Sequence, residues 1–190
     1  MRVPESKFSP VTVELVEKIR MWRNSPRIRA NMFDDTEIQP QQQQRWFETL
    51  AVSSDRQYKV FYQDSKPIGM LSFSEIKKES CFWGCYIGEE AVWPGTGVLL
   101  AVAALDYAFN TLDVQLLSAE VFEDNASPIK MHKTFGYAEK PDRFAVTKGG
   151  KRVKVKCFEY MKQDWEKNRE KILCKLPKQI REAADSIVFE

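Results

Sequence analysis

Apolar and polar positions change their period along the chain, and each change marks an element. Over 12–24, Val13, Val16 and Ile19 alternate with Glu17, Arg20 and Arg23 at helical spacing, which predicts a helix. Ser25-Pro26 ends or interrupts it, because the residue before a proline avoids helical torsions. A second helix is expected over 40–52, where Pro40 suits a first helical position and Trp46, Phe47 and Leu50 share one side. The period then falls to two. Residues 57–63, 67–76 and 81–88 read as three consecutive strands, the first pair joined through Asp64-Ser65-Lys66. Pro94, Gly95 and Gly97 break the pattern. A long apolar helix over about 97–112 follows, with Ala101, Ala104 and Ala108 forming a face that can lie close to a sheet. A strand at 115–122, a short helix at 126–135 and a hairpin over 137–147 and 152–161, turned at Gly149-Gly150, complete the pattern. Residues 163–187 are polar and helical, with a break at Pro177.

Strands that follow one another without intervening helices predict an α+β fold, not a doubly wound one. The 190 residues suffice for one core of ordinary size. The reading is a domain over 1–162 with a helical extension, 163–190, packed on or trailing from it. With 43% hydrophobic and 29% charged residues, a folded globular chain is expected. The net charge of +2 gives no concentrated basic excess, so neither nucleic acid nor a membrane surface is an expected partner. Lys148, Lys151, Arg152, Lys154 and Lys156 do cluster, but as a solvated hairpin edge guarded against aggregation. No apolar run approaches the ~20 residues of a spanning helix. The opening MRVPESKFSP has no secretory pattern, so a cytoplasmic location is expected. Cys81, Cys85, Cys157 and Cys174 form no C-x-x-C pair, and Cys81 and Cys85 stand roughly 13 Å apart on a strand. Reduced buried thiols and no metal are expected.

The chemistry is concentrated where Tyr86-Ile87-Gly88 ends a strand and Val92-Trp93-Pro94-Gly95-Thr96-Gly97 leads into the long helix. Glycines clear side chains from the path of backbone N–H groups, and a helix start adds partial positive charge, so a pyrophosphate is the expected ligand. No Gly-Lys-Ser/Thr follows, which excludes a P-loop, and the third glycine of a dinucleotide fingerprint is missing.

About 28 residues beyond that loop, the segment VFEDNASPIKMHKTFGY runs from a strand end at Asn125 through a short helix to Gly136-Tyr137. Together the two elements resemble the GNAT superfamily of N-acetyltransferases over roughly 10–162. The resemblance implies a central, mostly antiparallel mixed sheet with splayed fourth and fifth strands, flanked by helices. It implies acetyl-CoA as co-substrate, with Tyr86, Ile87 and Gly88 beside the pantetheine. Gly95, Thr96, Gly97 and Val98 would surround the phosphates, and Asn125 would complete the cofactor set. The loop departs from the usual pattern at Val92, where Arg or Gln is common.

Trp22-Arg23-Asn24-Ser25-Pro26, Ile68-Gly69 and Trp83-Gly84 look like the N-acetyltransferases of bacterial nonulosonic (pseudaminic) acid synthesis. That resemblance implies transfer to the 4-amino group of a UDP-4-amino-4,6-dideoxy sugar, a small-molecule partner. Ribosomal-protein N-terminal acetyltransferases share the first motif more loosely, so a peptide amine is the alternative. A non-catalytic acetyl-CoA-binding module is the other. Arg20, Arg23, Arg27 and Arg29 cluster where bidentate hydrogen bonds could hold a diphosphate, and Arg23 and Asn24 are the first choices. Met32, Phe33 and Trp83 are candidates for an apolar wall facing a deoxy sugar's methyl group.

In the superfamily a tyrosine on the short helix protonates the leaving thiol. His132, the sole histidine, takes that position here, with Tyr137 as fallback donor. The family's glutamate before Trp-Gly is replaced by Phe82, leaving Glu75 and Glu120 as candidate bases. Nothing in the residues separates a monomer from a homodimer.

Overall fold

The computed structural model describes residues 2–190. Strand β1 (Ser6–Pro10) leads through a 3-10 turn at Val13–Leu15 into α1 (Val16–Asn24), α2 (Pro26–Arg29) and α3 (Pro40–Leu50). The meander is β2 (Gln57–Gln63), β3 (Lys66–Ser74) and β4 (Ser80–Ile87). Next come α4 (Thr96–Asn110), β5 (Leu116–Phe122), α5 (Ala126–Phe135) and the hairpin β6 (Ala138–Val146) and β7 (Arg152–Met161). The chain closes with α6 (Lys162–Leu173), α7 (Lys178–Asp185) and β8 (Val188–Phe189). The helix expected over 12–24 is therefore a 3-10 turn followed by α1. Ser25 interrupts rather than stops it, since Pro26 begins α2.

One eight-stranded sheet runs β6-β7-β5-β4-β3-β2-β1-β8. Its pairs are antiparallel except β4 with β5 and β1 with β8. The sheet is thus mixed and mostly antiparallel, as the family resemblance implies, in the α+β arrangement that the strand order predicts. The β4–β5 seam is short: Ser80–Phe82 pair with Leu116–Ser118, and there the pairing stops. β5 goes on to pair with β7 as far as Phe122. From Trp83 to Ile87, the backbone groups of β4 that face β5 have no strand partner. This wedge, opening toward Ile87, positions the site.

Alternation along β4 sends Cys81 and Trp83 into the principal core beneath α4, and Tyr86 into a second cluster under α1 and α3. α4 is apolar on nearly all sides because it is covered by the sheet on one side and by α7 on another. Ala101, Ala104 and Ala108 are fully buried and allow the close approach expected of them. The segment 163–190 adds to this same core. Trp165, Leu173, Ala183 and Ala184 are buried in it. Trp165 Nε1 donates to Asp106 Oδ1 at 2.8 Å, and Arg169 forks onto both Asp106 oxygens at 3.0 Å. Apolar packing is therefore continuous across residue 162. β8 extends the sheet by pairing with β1, with Phe189 stacked on Phe8.

Candidate active site

At the start of α4 the chain turns through Gly95, whose φ of +108° is a conformation that other residues reach only under strain. A Cβ there would also meet Ile180 of α7 and Trp93 within 3 Å. The amides of Val98 and Leu99 donate to Gly95 O, and that of Thr96 donates to Trp93 O. The Gly97 amide makes no such bond, and a Cβ on Gly97 would have nothing within 4 Å. A free N–H, open space beside it and a helix N-terminus meet at one point, which is the requirement for an anion. Across the wedge, Asn125 precedes α5, and its side chain makes no capping bond there.

A cavity of about 410 Å³ opens on the other face of the sheet, between α1, α3 and the middle strands. Arg23, Tyr58, Ser72 and Tyr86 line it, with Asp34, Ile38 and Lys148 at its rim. Arg23 is half-buried. Its Nη2 donates to Asp34 O at 2.9 Å, while its buried Nη1 has no partner. Burial pulls the Arg23 guanidinium below its ordinary value, a desolvation cost that a ligand could relieve, and pushes the Tyr86 phenol above its own, so that Tyr86 stays neutral.

Three further unpartnered polar atoms gather on the α5 side of β4: Trp83 Nε1, His132 Nε2 and Tyr137 Oη. The His132 ring lies 5.5 Å from Trp83 and 4.6 Å from Tyr137 between centroids, and stacks on Phe158 at 4.8 Å. Its Nδ1 is 2.6 Å from the carbonyl oxygen of Pro128, so Nδ1 carries the proton and Nε2 is a bare acceptor. Desolvation lowers the imidazole to about 4. Between pH 6.5 and 4 the unfolded chain therefore takes up a proton that the folded chain refuses, and stability falls as pH drops through that window.

Residues 7–138 match the family model described as the acetyltransferase (GNAT) domain. The chain belongs to the GNAT acetyltransferase family. It is 32% identical over 127 residues to Acetyltransferase PseH of Campylobacter jejuni subsp. jejuni serotype O:23/36 (strain 81-176), covering 66% of this chain and 78% of that protein. The protein of the same name from serotype O:2 is 29% identical over 126 residues. Among solved structures, the spermidine N-acetyltransferase of Vibrio cholerae in complex with CoA and spermine superposes with a TM-score of 0.79 at 16% identity, covering 85% of this chain and 98% of that one. The C. jejuni N-acetyltransferase PseH in complex with acetyl coenzyme A gives 0.61 at 21% identity, covering 82% and 98%. The protein is thus an acetyl-CoA-dependent N-acetyltransferase of GNAT type.

Several residues expected in this GNAT site do other work. Thr96 is buried, with its hydroxyl turned inward to Trp93 O at 2.6 Å and Gln63 Oε1 at 3.0 Å, so it braces the loop from behind. Val98 and Ile87 pack against the principal core. The Gly88 amide donates to Ile68 O and its carbonyl accepts from Arg27, so its backbone is already engaged. A Cβ on Gly88 would stand 2.1 to 2.4 Å from the Trp22 ring. Gly88→Ala should accordingly cost about 2–3 kcal/mol through overpacking, read as a lowered urea midpoint with unchanged slope. Trp22, which enters the sequence reading only as part of the Trp22–Pro26 motif, has a role of its own. Its Nε1 donates to Glu89 Oε1 at 3.1 Å, and its ring pins α1 to the end of β4.

Asn24 is not free for substrate. Its amide donates to Ile38 O at 2.9 Å and accepts from Ile38 N at 2.8 Å, a staple between α1 and the segment 31–39. Trp83 faces the α5 side beside His132, away from the cavity, so it cannot wall it. Met32 packs into the α1 cluster, while Phe33 stands edge-on to Phe122 at 5.0 Å. Glu75 lies just past β3 at a φ of +49°, exposed and 3.9 Å from Lys77. Because Ser74 pairs with Phe82, Glu75 sits at the closed end of the wedge, far from its opening. Glu120 does face the cavity side, but both its oxygens are held by Arg143 at 2.8 and 2.6 Å. Of the thiols, Cys81 is buried and pushed up to about 12, whereas Cys85 and Cys174 are exposed rather than buried. Among the described residues no cluster of three or more metal-ligating side chains forms, and no helix is long and apolar enough to cross a membrane.

Proposed function

We propose that this chain transfers acetyl from acetyl-CoA to the 4-amino group of a UDP-4-amino-4,6-dideoxy sugar, in nonulosonic acid or surface-glycan synthesis. The observation that carries this reading is the half-buried Arg23 guanidinium in the cavity, whose Nη1 has no partner and which is flanked by Tyr58 and Tyr86. Arg23, Arg56 and Lys148 outnumber Asp34 among the charged residues that line the cavity. A polyamine or a cationic peptide N-terminus would meet repulsion there, whereas a diphosphate gains charge-assisted hydrogen bonds. The likeness to PseH supports the same substrate class.

Acetyl-CoA supplies an acyl carbon bonded to a thiolate leaving group. The Gly97 amide and the α4 N-terminus would hold its pyrophosphate, and the unpaired edge of β4 would accept its extended arm. Tyr137, not His132, is the proton donor in this reading. His132 is neutral at physiological pH and offers only a lone pair, while burial raises the Tyr137 hydroxyl well above 10 and keeps its proton in place. Since Arg143 occupies Glu120, the amine's proton leaves to solvent through the open cavity.

The test is a panel of UDP-amino sugars, spermidine and N-terminal peptides, offered with acetyl-CoA. The sugar nucleotide should turn over with the acetyl on nitrogen, and Arg23→Ala should raise its KM at least ~10-fold without weakening CoA binding. Turnover of peptides or polyamines alone would refute the assignment.

A further inference from the structure

The cavity has one wall without regular secondary structure, the segment 31–39, and its two ends are fastened differently. The Ile38 end is stapled to α1 by Asn24. The Phe33–Asp35 end is fastened to the tip of the β6–β7 hairpin, which is more than 100 residues away in sequence. Thr147 Oγ1 donates to Asp35 Oδ2 at 2.7 Å and the Gly149 amide donates to Asp35 Oδ1 at 2.6 Å. Lys148 adds two bonds, from its amide to Phe33 O at 2.8 Å and from Nζ to Asp34 Oδ2 at 2.9 Å. The hairpin tip is shaped to receive the carboxylate. A Cβ on Gly149 would stand 2.7 Å from Asp35 Oδ1, and the Thr147 hydroxyl is held by the Lys151 amide at 3.0 Å. Hydrogen bonds to both its oxygens hold Asp35 below the usual carboxylate range, so it is ionised at neutral pH.

The fastened wall carries Asp34, Thr36 and Ile38 into the cavity lining, while Lys148 enters it from the hairpin. Asp34 O in turn accepts from Arg23 Nη2, so the position of the wall fixes where the unpartnered Nη1 points. The cofactor loop lies on the opposite face and shares none of these bonds. We propose that Asp35 is a positioning residue for the acceptor: through Thr147 and Gly149 it sets the cavity wall and the Arg23 guanidinium. It governs how well the acceptor binds, without touching acetyl-CoA. This rests on the cavity being the acceptor site, as argued above.

The test compares Asp35→Ala, Thr147→Val and Thr147→Ser with the full-length wild-type chain, using the UDP-4-amino sugar as acceptor and calorimetry with CoA. Asp35→Ala and Thr147→Val should each raise the acceptor KM about 10-fold, change kcat less than about 3-fold and leave CoA affinity in place. Thr147→Ser keeps the hydroxyl and should restore a near-wild-type KM. The two deleterious changes combined should do little more than the worse one, because they open the same latch. An unchanged KM in a folded Asp35→Ala protein would overturn the proposal. So would CoA affinity falling in step with acceptor binding, or Thr147→Ser behaving like Thr147→Val. If the wild-type protein acetylates no amino sugar, the substrate assignment fails and the latch is judged separately. The Lys148 and Gly149 amides should then exchange hydrogen about 10-fold faster in Asp35→Ala, and equal rates would remove the latch as well.

Discussion

Tyr137→Phe is expected to lower kcat by about 10²-fold or more while the protein folds normally and binds CoA as before. The substitution deletes one oxygen from a ring that is 5% exposed and stacks edge-on against His132 and Tyr160. That oxygen has no hydrogen-bond partner. Removing an unsatisfied buried hydroxyl from a packed ring should leave thermal stability unchanged or raise it. Lost activity without lost stability would therefore report chemistry and not packing. His132→Phe should behave differently. It deletes the Nδ1 hydrogen bond to Pro128 O and repacks the ring stacked on Phe158, so any activity loss should come with a lower melting temperature. Wild-type kcat in Tyr137→Phe would show that the departing thiolate takes its proton from elsewhere.

Gly97→Asp should abolish measurable cofactor binding, an affinity loss of at least about 100-fold by calorimetry, and leave an intact fold. The physical terms point in opposite directions, which makes the result informative. A side chain on Gly97 meets nothing within 4 Å, and a carboxylate in the first turn of a helix interacts favourably with the dipole. The folded protein should tolerate the change or gain slightly from it. The bound state should not, because the new charge would stand where the proposed site puts the pyrophosphate and would fill the open space beside Gly97. Equal CoA affinity in wild type and Gly97→Asp would remove the phosphate assignment.

The long elements were legible because their burial is one-sided and repetitive. The meander, α4, α5 and the hairpin each carry a period that survives in the fold to within a few residues. β1 and β8 were not legible. β1 is a five-residue segment that includes two serines, a lysine and a proline, and β8 has two residues. Both become strands only because a neighbouring strand supplies the other half of their hydrogen bonds. The glycines of the loop showed where a ligand could approach, but not which way Thr96 turns. A threonine after a glycine serves equally as a phosphate donor or as an internal brace, and only the proximity of Gln63 selects the second. Asn24 has the same ambiguity, since a carboxamide can staple a backbone or bind a ligand with the same two groups. For His132 the motif gave the position but not its burial. That comes from Trp83 and Phe158, which are remote in sequence, together with the nearby Tyr137, and it turns an expected donor into an acceptor.

The three-residue seam between β4 and β5 has a consequence for the protein outside turnover. Past Phe82 the middle of the sheet contains an internal margin, a row of backbone groups that would invite association with another chain if it lay at the periphery. Here the gap lies inside the sheet between two strands that pair at its closed end, which keeps it from the periphery. On the proposed placement of CoA or acetyl-CoA in this gap, binding would favour folded over unfolded protein by mass action, by about 2.7 kcal/mol at a concentration 100-fold above Kd. Persistence of the enzyme in the cell would then be tied to its co-substrate supply. A cell starved of acetyl-CoA and CoA together would lose the catalyst to unfolding and proteolysis as well as the reaction.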